Sequence, residues 1–242
     1  MLRLLTFALL TAGMVQPLAA KTLQFAGHTW TVRDAVSAAP GPNRWAPENA
    51  WVDTLGRLHL RISRGADGIW RCAEVKLDTP LGFGTYEFKV DGRVDRFDRN
   101  VVFGMFQYPD PATGPDFTHE IDIEFSRWGS DTPYPAYWTV YPTTTAVSET
   151  SHAFAPVLEG DYSTHRFHRS RDAVRFQMLH GHQDGDAHQA HAWTFAPKDA
   201  KRRISQAAQP VYINLWLFRG MAPSDDLEVE VVVSDFRFIP AR

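Results

Sequence analysis

Cysteine is nearly absent from this sequence, since Cys72 is the single one among 242 residues. One cysteine cannot form an intrachain disulfide, so the fold cannot depend on disulfide bonds for its stability. We interpret Cys72 as a buried, inert thiol on a strand. A large net charge is also lacking, because 25 Lys and Arg nearly balance 28 Asp and Glu to give -3. This balance provides no electrostatic basis for binding nucleic acid or an anionic membrane.

Long hydrophobic runs are missing after the first residues of the chain. Residues 1–15 carry one positive charge and are otherwise largely apolar, and small residues follow up to Ala20. This arrangement is typical of a secretory signal peptide. Residues 1–20 are therefore predicted to be a signal peptide, and residues 21–242 a single domain that is secreted or periplasmic. No later segment reaches the roughly 18 apolar residues of a membrane helix, so we expect no membrane contact after signal removal. We also expect the protein to be a monomer.

Amphipathic helical stretches are scarce, whereas short alternating or β-branched runs recur between Gly, Pro, Asn and Asp residues. Many short strands separated by turn residues are typical of an antiparallel β-sandwich. Residues 39–51 are predicted to form an ordered surface loop, and residues 109–116 a loop at the rim of a cleft. The predicted strands cover residues 57–63, 69–77, 84–90, 101–108, 118–125, 136–141, 165–169, 173–179, 211–218 and 227–238.

The segment from His119 to Phe125 alternates carboxylate and apolar side chains with a period of two. On a β-strand this period places Glu120, Asp122 and Glu124 on one face and the apolar residues on the other. Neighbouring carboxylates raise one another's pKa, which suits a site that transfers protons. The alternative is an ordinary solvated outer face of an antiparallel strand.

The run Glu-Ile-Asp-Ile-Glu-Phe resembles the active-site strand of glycoside hydrolase family 16, which includes lichenases, laminarinases and xyloglucan-active enzymes. The resemblance implies an all-β, concanavalin A-like jelly-roll sandwich of two antiparallel bent sheets with a concave substrate cleft. It also implies that residues 21–242 form one catalytic domain of this kind. Further segments resemble the family in order and spacing, namely Gly82 to Lys89, Val102 to Tyr108, Thr164 to Phe167 and Ile213 to Trp216.

The same resemblance implies roles for the acidic residues. Glu120 matches the nucleophile, Glu124 the general acid/base and Asp122 a helper that tunes their protons. A retaining mechanism needs carboxyl groups about 5 to 5.5 Å apart, whereas residues four apart on a flat strand have Cα atoms roughly 13 Å apart. Spacing alone therefore leaves an inverting mechanism open, and the resemblance favours retention. It also implies a polysaccharide-binding cleft formed by Glu87, Phe106, Tyr108, Tyr141, Asn214 and Trp216.

For Phe106 and Trp216, the alternative to a place in the cleft is an ordinary role in the hydrophobic core. We also expect Trp128 and Trp138 near the cleft rim. The single residue between Asp122 and Glu124 indicates a regular strand without a bulge. Thr118 and Thr139 stand where lichenase-like members carry tryptophan and asparagine, so the resemblance does not extend to a particular sugar.

No cofactor is required by the resemblance, although it leaves open a structural calcium ion near Asp235. Residues 180–191 are rich in His and Asp, and we interpret them as a hairpin loop, with a metal site as the alternative.

We therefore expect an exported, retaining endo-glycosidase that hydrolyses a β-linked polysaccharide or transfers its glycosyl group to another sugar. A non-catalytic, lectin-like carbohydrate-binding domain on the same fold is the alternative, because a fold does not dictate a function. The acidic triplet favours the enzyme, since a lectin has no need for two glutamates placed around an aspartate. It also disfavours a polysaccharide lyase, which would need a basic or tyrosine base and charge-neutralising groups.

Overall fold

The structure is a computed structural model that describes residues 20–241. The predicted signal peptide, apart from Ala20, lies outside the described residues. Among residues 20–241, helix occurs only in α1 (Ala200–Arg203) and in 3-10 turns at Pro47–Asn49, Val94–Arg96 and Phe218–Gly220. The strands are β1 (Thr22–Phe25), β2 (His28–Val32), β3 (Ala35–Ala38), β4 (Asn43–Trp45), β5 (Ala50–Val52), β6 (Leu58–Arg64), β7 (Trp70–Leu77), β8 (Gly84–Asp91), β9 (Val101–Gln107), β10 (Ile121–Ser126), β11 (Ala136–Val140), β12 (Thr150–Phe154), β13 (Tyr162–Arg169), β14 (Val174–His180), β15 (Gln189–Phe195), β16 (Val211–Leu217) and β17 (Val229–Pro240).

Fifteen of these strands form two layers, whereas β3 pairs with β4, which pairs in turn with β7. One layer, here called the cleft sheet, has the order β1-β2-β7-β16-β9-β10-β11-β12. The other layer, here called the outer sheet, has the order β5-β6-β17-β8-β13-β14-β15. Neighbouring strands in both layers are antiparallel, and a short pairing of β6 with β7 joins the two layers into one curved sheet. The predicted all-β jelly-roll sandwich is therefore confirmed.

The hydrophobic core lies between the two layers. Trp138 on β11 stacks on Phe176 of β14, with ring centroids 5.4 Å apart, and Trp30 on β2 meets Phe236 of β17 edge to face at 5.4 Å. Aromatic pairs of this kind bury large apolar areas and add about 0.5–1.5 kcal/mol beyond that burial. Because Trp138 is 1% exposed in this core, the prediction that it lines the cleft rim was wrong.

Each predicted strand is present, and most boundaries differ by one to three residues. The largest difference that affects the site is at β10, which begins at Ile121 rather than at Thr118. Phe117 and His119 both have left-handed backbone conformations, with φ of 64° and 61°, which interrupt the extended backbone of a regular strand. The sequence prediction also missed β1 to β5, β12 and β15.

Residues 39–51 are not the surface loop that we predicted, because they contain β4 and a 3-10 turn and bury several side chains. Asn43 donates a hydrogen bond to the Leu217 carbonyl oxygen at 2.9 Å, and Asn49 donates to the Arg71 carbonyl oxygen at 3.0 Å. These amides satisfy backbone groups where regular pairing ends, which allows the segment to be buried. Within the described part of the chain, no helix has the length and apolar character needed to cross a membrane.

Candidate active site

The three predicted carboxylates lie on the cleft sheet, at β10. Ile121, Ile123 and Phe125 are buried in the core, so the alternate side chains of the strand face the other way. Glu120 directly precedes the strand, and its carbonyl oxygen accepts a hydrogen bond from the Tyr141 amide at 2.8 Å. We call Glu120, Asp122 and Glu124 the acid triad.

The strand is regular, as its sequence predicts. Asp122 lies opposite Phe106 on β9 and opposite Thr139 on β11. Glu124 lies opposite Gly104 on β9, and neither pairing contains a register shift. The prediction that β10 has no bulge is therefore confirmed, and Asp122 and Glu124 project from the same face.

Burial raises the pKa of every member of the acid triad. The pKa of Glu120 and that of Glu124 lie above the ordinary glutamate value, chiefly because both groups are desolvated. Asp122 is almost fully buried, and desolvation together with the charges of the two glutamates raises its pKa well above the usual range. It shares a hydrogen bond with Glu120 that lowers the pKa of Glu120. A proton held on Asp122 thus offsets part of this rise, and the pKa of Glu120, about 8, remains above that of Glu124, about 7.

The predicted rim loop, residues 109–116, borders this site. The Tyr108 hydroxyl donates a hydrogen bond to the Asp116 carboxylate at 2.6 Å. The charge of Asp116 further raises the pKa of Glu120. Gln107, which precedes Tyr108, lies opposite Ile121, which follows Glu120. Burial and the neighbouring Asp116 and Glu120 carboxylates raise the pKa of Tyr108. Tyr108 is therefore held beside the acid triad, as predicted.

A partly exposed aromatic cluster lies next to Asp122. Phe106 stacks on Tyr212 of β16, with centroids 5.3 Å apart and planes 17° from parallel, and Tyr108 meets Tyr212 edge-on at 6.1 Å. Phe106 therefore belongs to the cleft surface rather than to the core between the sheets. Sequence reasoning missed Tyr212, although its position two residues before Asn214 on one strand already implies that the two share a face.

Tyr141 lies at the other side of the acid triad, just after β11. Its pKa is raised by burial and then by the nearby charges of Asp122, Glu120 and Glu124. Because its amide also donates to the Glu120 carbonyl oxygen, Tyr141 lies beside the acid triad. Beside it, Thr139 forms a hydroxyl hydrogen bond with Ser151 of β12 at 2.8 Å.

Asn214 belongs to a polar row across the cleft sheet. Its Nδ2 donates to Glu74 on β7 at 3.1 Å, and Glu74 accepts from Arg33 at 2.9 Å. Asn214 lies opposite Gly104, which is itself opposite Glu124. A Cβ at Gly104 would meet Asn214 Oδ1 at 2.7 Å, so the glycine keeps open the space between the amide and the glutamate. Asn214 is placed as predicted, and Glu74 is a cleft residue that sequence reasoning missed.

Trp216 follows Asn214 on the same face of β16 but is only 7% exposed. Trp128 lies against it, with ring centroids 6.3 Å apart, and also contacts Tyr137 at 5.8 Å. Trp216 therefore lies on the cleft side of the sheet, as the resemblance implies, but the neighbouring aromatic rings cover it and leave little of its surface for a ligand. Trp128 is partly exposed at this end of the cleft sheet, as expected for a rim residue.

Glu87 is not part of this site, and its prediction as a cleft residue was wrong. It lies on β8 of the outer sheet, is 2% exposed, and pairs with Arg166 and, at 2.9 Å, with Arg237. Strand alternation sends Tyr86 and Phe88 into the core and Glu87 to the opposite face. A 390 Å³ cavity beside Glu87 and Arg166 is lined mainly by charged and polar groups, many of which hydrogen-bond one another.

No group of three metal-ligating side chains occurs among residues 20–241. Residues 180–191 run from the last residue of β14 into the start of β15, as the hairpin interpretation predicts. His191 Nε2 lies 2.9 Å from His152 Nε2, at hydrogen-bonding distance. Asp235 lies opposite Lys89 on β8. One carboxylate does not by itself provide the six to eight oxygen ligands that calcium takes, which also include backbone carbonyls and water, so calcium binding near Asp235 stays a prediction.

Comparison with known proteins found similarity at the level of structure. No family model and no curated protein matches the sequence. Among solved structures, a Bacillus licheniformis β-glucanase has 20% identity and a TM-score of 0.66, over 94% of this chain and 100% of that one. A mixed linkage glucan GH16 protein of Bacteroides ovatus, solved with a product, has 12% identity and a TM-score of 0.67, over 87% of this chain and 94% of that one.

A third solved structure carries a different description. It is a pseudo β-1,3-glucanase of Mycobacterium tuberculosis, with 17% identity and a TM-score of 0.65 over 88% of this chain and 91% of that one. Proteins described as glucanases and as a pseudo-glucanase therefore share this architecture. Because these identities are low, the similarity shows the fold alone, and we conclude that the chain has the jelly-roll fold of the β-glucanases.

Proposed function

We propose that the chain is a retaining endo-glycosidase of glycoside hydrolase family 16 that cleaves a β-linked polysaccharide. The observation that carries the proposal is the acid triad, in which Glu120 directly precedes an unbulged strand and the buried Asp122 shares one face of that strand with Glu124. Glycoside hydrolysis needs one carboxylic acid and one carboxylate flanking the scissile bond. The raised pKa values of this cluster keep protons on it near neutral pH, which supplies the acid.

The two glutamates have different roles in the proposed reaction. Glu120 matches the nucleophile of the resembled family and receives a hydrogen bond that lowers its pKa in part, so we assign it as the nucleophile that attacks the anomeric carbon. Glu124, whose pKa is raised by burial, transfers its proton to the departing oxygen as the glycosidic bond breaks. In the second step Glu124 takes a proton from water, whose oxygen attacks the anomeric carbon and releases Glu120.

Asp122 acts through Glu120 in this proposal. Its proton lies in the hydrogen bond between the two carboxyl groups and stabilises the negative charge on Glu120 before attack. The cleft residues bind sugar hydroxyls and ring faces around the scissile bond. They are Glu74, Phe106, Tyr108, Tyr141, Tyr212 and Asn214. When a sugar rather than water accepts the glycosyl group, the same chemistry becomes transglycosylation.

The competing function is a lectin-like domain that binds a polysaccharide without cleaving it. The specific observation in its favour is that a structure with this fold is described as a pseudo β-1,3-glucanase. The test is a panel of mixed-linkage β-glucan, laminarin, xyloglucan and agarose, assayed for new reducing ends. Cleavage by the wild type and none by Glu120→Gln supports the enzyme. Binding to a member of the panel without cleavage of any member supports the lectin.

Two further measurements address the finer parts of the proposal. Proton NMR of the first product distinguishes retention from inversion, and release of long oligosaccharides early in the reaction distinguishes endo from exo cleavage. Export is proposed from the sequence of residues 1–20 alone. N-terminal sequencing of protein recovered outside the cytoplasm tests it, with Lys21 expected as the first residue.

A further inference from the structure

Phe117 is a large aromatic residue that is 73% exposed. It also has a left-handed backbone conformation, with a φ of 64°, which is rare for a bulky side chain and energetically unfavourable. Exposure of the ring to water adds little to folding stability, and the backbone conformation costs stability. Residues kept in such conformations cluster at functional sites, where the surrounding structure holds them in place.

The segment around Phe117 is held by several hydrogen bonds. Thr118 is fully buried, and its hydroxyl donates to the Pro115 carbonyl oxygen at 2.6 Å. The His119 amide donates to the Pro142 carbonyl oxygen at 2.8 Å, and its carbonyl oxygen accepts from Gln209 Nε2 at 3.0 Å. With Thr118 directed inward and its neighbours fixed, the ring of Phe117 is directed outward.

The position of Phe117 in the chain places it at the cleft rim. It follows Asp116, which hydrogen-bonds Tyr108 beside the acid triad, and it precedes Glu120 by three residues. Three residues span at most about 10 Å, so the Cα atoms of Phe117 and Glu120 are no farther apart than that. An exposed ring at this distance lies within reach of sugar units next to the scissile bond.

We propose that Phe117 is a carbohydrate-binding residue whose exposed ring stacks on a sugar unit of the polysaccharide at the rim of the cleft. This inference rests on the proposed function for the identity of the site, and it adds a specific contact to it. An aromatic ring provides an apolar face for the C–H groups of a pyranose without taking part in proton transfer. Its loss therefore weakens substrate binding and leaves the chemical step intact.

The test compares Phe117→Ala, Phe117→Tyr and Phe117→Gly with the wild type on the polysaccharide that the panel identifies. We expect Phe117→Ala to raise KM about three- to tenfold while kcat stays within twofold, because a single aromatic contact is of this size. Phe117→Tyr restores the wild-type KM because it keeps the ring. Tyr162→Ala is the matched control, since Tyr162 is an aromatic 55% exposed on β13 of the outer sheet.

Thermal unfolding separates binding from a structural role. Phe117→Gly removes the ring and relieves the left-handed strain, so we expect a higher Tm together with the raised KM. A Phe117→Ala variant with the wild-type KM overturns the proposal. A rise in KM that accompanies a fall in Tm, and that Phe117→Tyr does not reverse, also overturns the proposal.

A second measurement keeps this inference distinct from the proposed function. In gels containing mixed-linkage β-glucan, laminarin or xyloglucan, retardation of the protein reports binding without requiring cleavage. If the wild type is retarded but cleaves nothing, the enzyme proposal fails, and weaker retardation of Phe117→Ala still supports the stacking contact. Equal retardation of the two proteins, or no retardation of the wild type by any of the polysaccharides, overturns the proposed stacking contact.

Discussion

Asp122 and Glu120 share a hydrogen bond between their carboxyl groups at the cleft end of β10. Burial raises the pKa of both groups, and the hydrogen bond partly offsets that rise for Glu120 alone. Burial alone raises the pKa of Glu124, which lies two residues after Asp122. The hydrogen bond therefore distinguishes two glutamates that the alternating sequence leaves equivalent, although the pKa of Glu120, about 8, stays above that of Glu124, about 7. The assignment of Glu120 as the nucleophile follows the family resemblance.

Replacement of either glutamate by glutamine is expected to abolish hydrolysis. An amide is neither a nucleophile for the anomeric carbon nor an acid for the leaving oxygen, so kcat should fall at least about 10³-fold. The measurement is the release of reducing ends by Glu120→Gln and Glu124→Gln. Circular dichroism and thermal unfolding serve as controls that the fold is intact. Normal turnover by either variant would remove that glutamate from the mechanism.

Replacement of Asp122 by alanine should affect the pH dependence as well as the rate. Without the hydrogen bond from Asp122, the pKa of Glu120 rises, so the acidic limb of the kcat/KM profile moves to higher pH. Asp122→Asn retains a hydrogen-bond donor and should shift this limb less. The measurement is the pH profile of the three proteins on one substrate. An unchanged acidic limb in Asp122→Ala would contradict the role assigned to the pair.

The acid triad is expected to destabilise the fold at alkaline pH. Its pKa values are raised above about 4.3 in the folded state, so the folded protein binds extra protons and loses stability as pH rises through those raised values. Glu124→Gln cannot ionise, so its Tm should exceed that of the wild type at pH 8. The difference should shrink toward pH 5.

Comparison with the wild type removes the effect of other titrating groups. His165 is buried, which lowers its pKa to about 3, and it therefore reduces stability as pH falls below about 6.5. Both proteins contain His165, so the difference between their Tm values is independent of it. A difference that grows as the pH falls from 8 to 5 would contradict the raised pKa of Glu124.

Gly104 is expected to be essential for the position of Asn214. A methyl group there would meet Asn214 Oδ1 at 2.7 Å, and the amide is held from the other side by Glu74. Gly104→Ala should lower kcat/KM about tenfold or more, while Tm changes by only a few degrees. Gly185→Ala is the control, because a Cβ at Gly185 meets nothing within 4 Å. Unchanged kinetics in Gly104→Ala would show that this space is not used by substrate.

Ten of the seventeen strands and the acid triad were predictable from the sequence because both depend on local alternation. A period of two assigns the faces of β10, and the single residue between Asp122 and Glu124 predicts its regular pairing. The proton relationship between Asp122 and Glu120 depends on burial, which follows only from packing of the whole sheet. Local sequence therefore indicated the chemistry but not the distinction between the glutamates.

The remaining cleft residues depend on which strands become neighbours. Glu87 occupies an alternating strand like that of Glu124, but β8 pairs with β13 and β17 in the outer sheet. Glu74 enters the site because β7 pairs with β16, which brings it to Asn214. Alternation gives the face of a residue but not the layer that its strand joins, so long-range pairing decided both cases.

The central claim is that Glu120 forms a covalent bond with the anomeric carbon. A 2-deoxy-2-fluoro glycoside of the substrate sugar with a good leaving group slows release of such an intermediate, so that it accumulates. Mass spectrometry of peptides from the inactivated protein should find one added sugar on Glu120, and Glu124→Gln should still be labelled by this activated reagent. A label on Glu124, or turnover with inversion and no label, would contradict the account.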